Sequence, residues 1–115
     1  MQIEIRGQHV ELTGALRSHI ERRVLFALGR FQSRIFRVTV RLQDVNGPRG
    51  GVDKGCRLSV ELVGGGSQHI DELSSDLYIA VDGALERTAR VVERELSRQA
   101  TFERTTVRGL ATIME

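Results

Sequence analysis

Cysteine, proline and tyrosine each occur once in this sequence, and tryptophan never. The single thiol, Cys56, rules out an internal disulfide. The nearest histidine, His69, stands 13 positions away, so no zinc-ligand spacing is present. No apolar run approaches the roughly 18 residues that a membrane-spanning helix requires. The opening MQIEIRGQHVEL alternates polar and apolar residues where a secretory signal would carry a continuous apolar stretch. These absences predict a soluble, cytoplasmic chain with no metal, no cofactor and no membrane partner. Lysine is also almost missing. The net charge is only +2, yet sixteen of the seventeen basic residues are arginine, whose planar fork suits phosphate recognition.

What is present suffices for one domain. A chain of 115 residues with 40% hydrophobic content can bury a real core and is too short for two. Ile3 and Ile5 alternate with Gln2, Glu4 and Arg6, which predicts a short strand closed by Gly7. Leu16, Ile20, Val24, Ala27 and Phe31 then recur at helical spacing behind Thr13, a candidate N-cap, in a helix expected to end between Gly29 and Phe31. FRVTVRLQDV sets Phe36, Val38, Val40 and Leu42 on one face of a strand, and CRLSVELV does the same with Cys56, Leu58, Val60 and Leu62. NGPRGGVDKG between them, with four glycines and the only proline, reads as a long hairpin loop over 46–55. After GGGS comes a weaker strand, Gln68 to Glu72, and Ser74 or Ser75 is expected to cap a final helix.

The order β-α-β-β-β-α, with strands apolar on one side only, predicts an α+β two-layer sandwich. Both helices lie on one face of a four-stranded sheet, as in double-stranded-RNA-binding domains.

The final helix sorts its side chains by angle. Relative to Arg87, Arg90, Arg94 and Arg98 fall at roughly −60°, −20° and +20°, one narrow stripe. Leu77, Val81, Leu85, Val92 and Leu96 occupy a separate arc, the expected core face. Only Arg90 has an acid in favourable helical order, Glu86, whereas Arg94 has arginines at both ±4 positions and no acid at ±3. The stripe is therefore expected to be better satisfied by an external polyanion than by its own carboxylates. On the first helix, His19, Arg22, Arg23, Phe26 and Arg30 lie away from the core positions and offer a second basic patch. Exposed, Phe26 would stack on a base; packing at the edge of the helix–sheet interface is the favoured reading. Side by side, the two helices would form one basic, groove-like surface for folded RNA.

Catalysis would need a nucleophile beside a base, or a carboxylate pair in a pocket. Cys56 with His69 or His9 is the sole cysteine–histidine combination, and Cys56 falls on the inward face of its strand, where it serves as a small hydrophobe. GGVDKG lacks the spacing of a phosphate loop. The expectation is a protein that binds and does not catalyse.

Two stretches, MQIEIRGQHVELTGALRSHIERR and DLYIAVDGALERTAR, carry a further likeness. Together they make the chain resemble the ribosome hibernation-promoting factor and ribosome-associated inhibitor family, from Met1 to about Arg98. Asp76, Tyr78, Ala80, Val81 and Asp82 match its aspartate-x-tyrosine-alanine-alanine-isoleucine-aspartate signature, with Val81 in place of isoleucine. The resemblance implies binding to 16S rRNA in the decoding region of the small ribosomal subunit, silencing idle ribosomes under stress or in stationary phase. DNA is not an expected partner, and a homo-oligomer is not required. Family RNA contacts carry over to Arg22 and Arg23 on the first helix and to Arg87, Arg90 and Arg94 on the second; Arg30 and Arg98 extend the same patches. Phe26 stands where the family has a basic residue. Arg49 and Lys54 either reach rRNA from the hairpin or belong to a solvated loop, and Tyr78 with the two aspartates is read as structural, Tyr78 near the buried arc. Residues 1–98 are the expected ribosome-binding domain and 99–115 a tail, which makes this a short form without the second domain that pairs ribosomes in long members. A general double-stranded-RNA module outside the ribosome is the alternative.

Overall fold

The computed structural model describes residues 1–44 and 53–114, with side chains to residue 101. Strand β1 (Gln2–Gln8) leads through His9, which adopts φ 58°, into helix α1 (Gly14–Leu28). A 3₁₀ segment (Gly29–Arg34) follows, then β2 (Ile35–Asp44), β3 (Lys54–Leu62), β4 (Ser67–Ser74) and helix α2 (Leu77–Met114). The sheet has the order β1-β2-β3-β4, with β1 parallel to β2 and the other pairs antiparallel. This is the α+β arrangement of two helices on a four-stranded mixed sheet.

Thr13 caps α1 as expected, its Oγ1 accepting from Leu16 N at 3.1 Å. Leu16, Ile20, Val24 and Leu28 form the buried stripe and meet Val38, Val40, Leu58 and Val60 of the sheet. Each such side chain contributes roughly 1.5–3 kcal/mol on burial, far more than a surface ion pair at about 0–1 kcal/mol. Stability therefore rests mainly on this core.

One alternation fails. The pairing of β2 with β3 slips between Ile35 and Arg37, so Ile35 enters the core and Phe36, expected inside, is exposed. The bulge puts two residues of β2 opposite one of β3 and turns one side chain outward. The β3–β4 turn is built from Gly64, Gly65 and Gly66, all at φ between 89° and 107°, a region that side-chain-bearing residues rarely adopt.

Asp76, and not Ser74 or Ser75, caps α2: its Oδ1 accepts from Tyr78 N at 2.7 Å and Ile79 N at 3.4 Å. Val81, Leu85 and Val92 are buried as expected, while Leu77 and Leu96 pack only partly. Thr88, wholly buried, satisfies its hydroxyl by donating to Ala84 O at 2.7 Å. The helix continues past Arg98 to Met114. No helix among the described residues is long and apolar enough to cross a membrane.

The hairpin ends earlier than its composition suggests. Lys54 already belongs to β3 and its Nζ is held by Asp44 at 2.8 Å and Asp53 at 3.4 Å, so it turns inward and does not reach out as a loop cation. Arg49 lies outside the described residues.

Candidate nucleic-acid interface

Contacts between the helices climb in step along both. His19 and Arg23 meet Asp82, Arg30 meets Glu93, and Arg34 of the 3₁₀ segment meets Gln99. The two helices thus run side by side in the same direction. Between them lies a groove of about 510 Å³, lined by Arg23, Phe26, Arg30, Asp82, Glu86 and Arg90. Three of the arginines singled out in the sequence converge there.

Phe26 is 81% exposed, which corrects the reading that packs it at the helix–sheet edge. It stands one turn after Arg23, whose guanidinium carbon lies 5.3 Å from the ring centroid. Arg30 lies similarly over Phe31 at 4.5 Å. A bare ring flanked by cations is the combination on which unstacked bases rest.

The arginines of α2 do not form one unanswered stripe. Arg90 donates to Glu86 at 2.7 Å, as expected. Arg87 turns to the opposite flank, donating to Asp71 O and Glu72 Oε2 of β4, both at 2.8 Å. Arg98 is bound by Glu95, three residues earlier, at 2.7 Å; this bond raises the pKa of Arg98 and lowers that of Glu95. On α1, Arg23 is 3.2 Å from Asp82 and Arg30 is 3.3 Å from Glu93. Arg22 and Arg94 differ. Both are exposed, and among the described residues neither has a carboxylate partner; Arg22 donates only to Ser18 O at 3.4 Å. The expectation of unsatisfied charge on α2 holds for Arg94 and fails for Arg87 and Arg98.

The pairings weaken the surface less than their number suggests. Arg87, Arg90 and Arg98 have side chains 54%, 67% and 78% exposed. Exposed pairs of this kind are worth about 0–1 kcal/mol, so exchanging a carboxylate for a phosphate costs little. The carboxylates hold the guanidinium groups in place without sequestering them.

The signature residues have structural work. Asp76 caps α2, and Asp82 joins the helices. Tyr78, expected near the buried arc, is 39% exposed and sets its ring edge-on to His19 with centroids 4.8 Å apart. Cys56 faces the core while His69, paired across the strands with Ser59, faces the other side of the sheet, so the two form no dyad. Among the described residues no group of His, Cys, Asp or Glu is arranged to hold a metal.

Comparison with known proteins bears on this geometry. The model of the sigma 54 modulation protein / S30EA ribosomal protein family matches residues 3–100. Among solved structures, the chain is similar to the Thermus thermophilus Protein Y N-terminal domain at 27% identity and a TM-score of 0.67, covering 82% of this chain and 98% of that one. A ribosomal subunit interface protein from Coxiella burnetii shares the fold at 21% identity and a TM-score of 0.70, covering 84% of this chain and 99% of that one. No curated protein sequence matches. With the match extending from β1 far into α2, the chain belongs to the sigma 54 modulation protein / S30EA ribosomal protein family.

Proposed function

We propose that this protein is a ribosome hibernation factor that binds 16S rRNA in the decoding region of the small subunit and silences idle ribosomes under stress. The observation that carries this reading is the convergence of Arg23, Arg30 and Arg90 on one groove beside the exposed ring of Phe26. Arg22 and Arg94 contribute the guanidinium groups that lack internal carboxylates, and Arg87 and Arg98 extend the basic surface along α2. Residues 1–98 form the binding unit. Family membership supports the ribosome as the target, and the Coxiella burnetii relative is itself described as a ribosomal subunit interface protein. The work is done in the cytoplasm, by occupation and not by catalysis.

The test is sedimentation of stationary-phase extract through a sucrose gradient. The protein is expected with small subunits or whole ribosomes, and replacing Arg22, Arg90 and Arg94 by glutamate is expected to move it to the top of the gradient while leaving it folded. Retention of that triple variant on ribosomes at moderate salt refutes the assignment. A second reading, a general duplex-RNA module, is favoured by the helix-on-sheet design alone; it predicts equal affinity for an unrelated RNA duplex and for ribosomes.

A further inference from the structure

The face of the sheet turned away from the helices also carries arginine. Register sets Arg6 beside Arg41, Arg41 beside Arg57, and Arg57 beside Asp71, one row across all four strands. The three arginines are exposed. Like charges directly opposite one another weaken strand pairing, and this row contains two such neighbours. Its internal neutralisation is incomplete. Arg57 is 2.8 Å from Asp71, but Arg6 is 3.4 Å from Glu4, which is also 3.7 Å from Arg37. Arg41 has neither an ion pair nor a hydrogen bond among the described residues. The row borders a concavity of about 510 Å³ to which Gln8 and Gln43 add uncharged amides.

We propose that this row is a second phosphate-binding surface, back to back with the helical groove, and that its occupant is an RNA backbone. The domain would then sit between two RNA segments. Adjacent strands are about 4.8 Å apart, so the three arginines span about 10 Å of sheet, and an RNA strand laid along the row brings more than one phosphate within their reach. Gln8 and Gln43 supply amides for ribose hydroxyls, groups that an acidic protein surface does not offer. The inference rests on the proposed function only for the identity of the polymer, since its residues are separate from those on the helices.

The test compares Arg41→Gln with Arg94→Gln in binding to purified small ribosomal subunits across a salt series. Each lost phosphate contact is expected to reduce the slope of log K against log salt by about 0.7–0.9, and hence affinity about five- to eightfold near 0.1 M salt. Arg41→Lys is expected to keep the slope, and thermal melts of all three variants to match the parent or exceed it. If Arg41→Gln binds as the parent does while Arg94→Gln is weakened, the sheet surface is overturned and the helical reading stands. The reverse result overturns the helical reading and supports the sheet surface. No effect from either variant overturns both. A benzophenone side chain at position 43 identifies the occupant: an adduct with rRNA supports the proposal, and adducts only with ribosomal protein, or none, overturn it.

Discussion

Arg23 of α1 donates through Nε to Oδ1 of Asp82 on α2 at 3.2 Å, across the groove that the two helices enclose. The same oxygen lies 2.8 Å from His19 Nε2. Asp82 therefore ties two positions of α1 to one of α2, and the helix spacing depends partly on a single carboxylate. Asp82→Ala is expected to cost about 1 kcal/mol in urea unfolding, and a double-mutant cycle with Arg23→Ala to return a coupling of about 0.2–1 kcal/mol. Zero coupling would remove Asp82 as the strut.

Phe26 offers a separation of folding from binding. Because the ring is 81% exposed, Phe26→Ala should change stability by no more than about 0.5 kcal/mol. Ribosome affinity should fall by about 1–3 kcal/mol if a base stacks there. Unchanged affinity with an unchanged melt would assign the ring no role in the interface.

Arg87 and Arg94 are predicted to behave oppositely. Arg87 anchors α2 to β4 through Glu72 and the Asp71 carbonyl, so Arg87→Gln should lower stability by about 0.5–1 kcal/mol. Arg94→Gln should leave the melt unchanged and weaken ribosome binding about five- to eightfold near 0.1 M salt. Equal melts for the two variants would show that the β4 contact carries no weight.

Cys56 reports on the core. Burial, reinforced by the carboxylates of Glu72 and Asp71, pushes its thiol up to about 12 from 9.0. Folding thus raises the pKa, so the stabilisation is fully present below pH 9.0 and is lost as pH rises toward about 12. Unfolding free energy should be level up to about pH 9 and decline above it, a trend that Cys56→Ala should flatten. At about pH 8 a disulfide-exchange reagent should label the native protein only as fast as the core opens.

Sequence periodicity was informative where burial imposes it. Val38, Val40, Leu58 and Val60 alternate because one face of their strands is dry, and Leu16, Ile20, Val24 and Leu28 recur because one stripe of α1 is. Phe36 departed from that rule because a bulge is a property of two paired strands, and a one-strand pattern cannot display it. The α2 cap fell one or two residues later than predicted because Asp76 outcompeted two serines of similar capping preference. In the groove between the helices, the placement of Arg23, Arg30 and Arg90 was legible from helical angle alone. The pairing of Arg98 with Glu95 was also within reach, as an i,i+3 spacing. That of Arg87 with Glu72 was not, since it joins α2 to a strand whose placement only the folded sheet determines.

The carboxylates beside Arg23, Arg30, Arg87, Arg90 and Arg98 act as resident counter-ions. An isolated anion, such as a free nucleotide, can displace one of them at a time and gains little by the exchange. A densely charged polymer displaces several together, and each exchange raises the local concentration of its next phosphate. In the proposed role, the same side chains that hold the cations in position would set a threshold that a long polyanion passes and a small one does not.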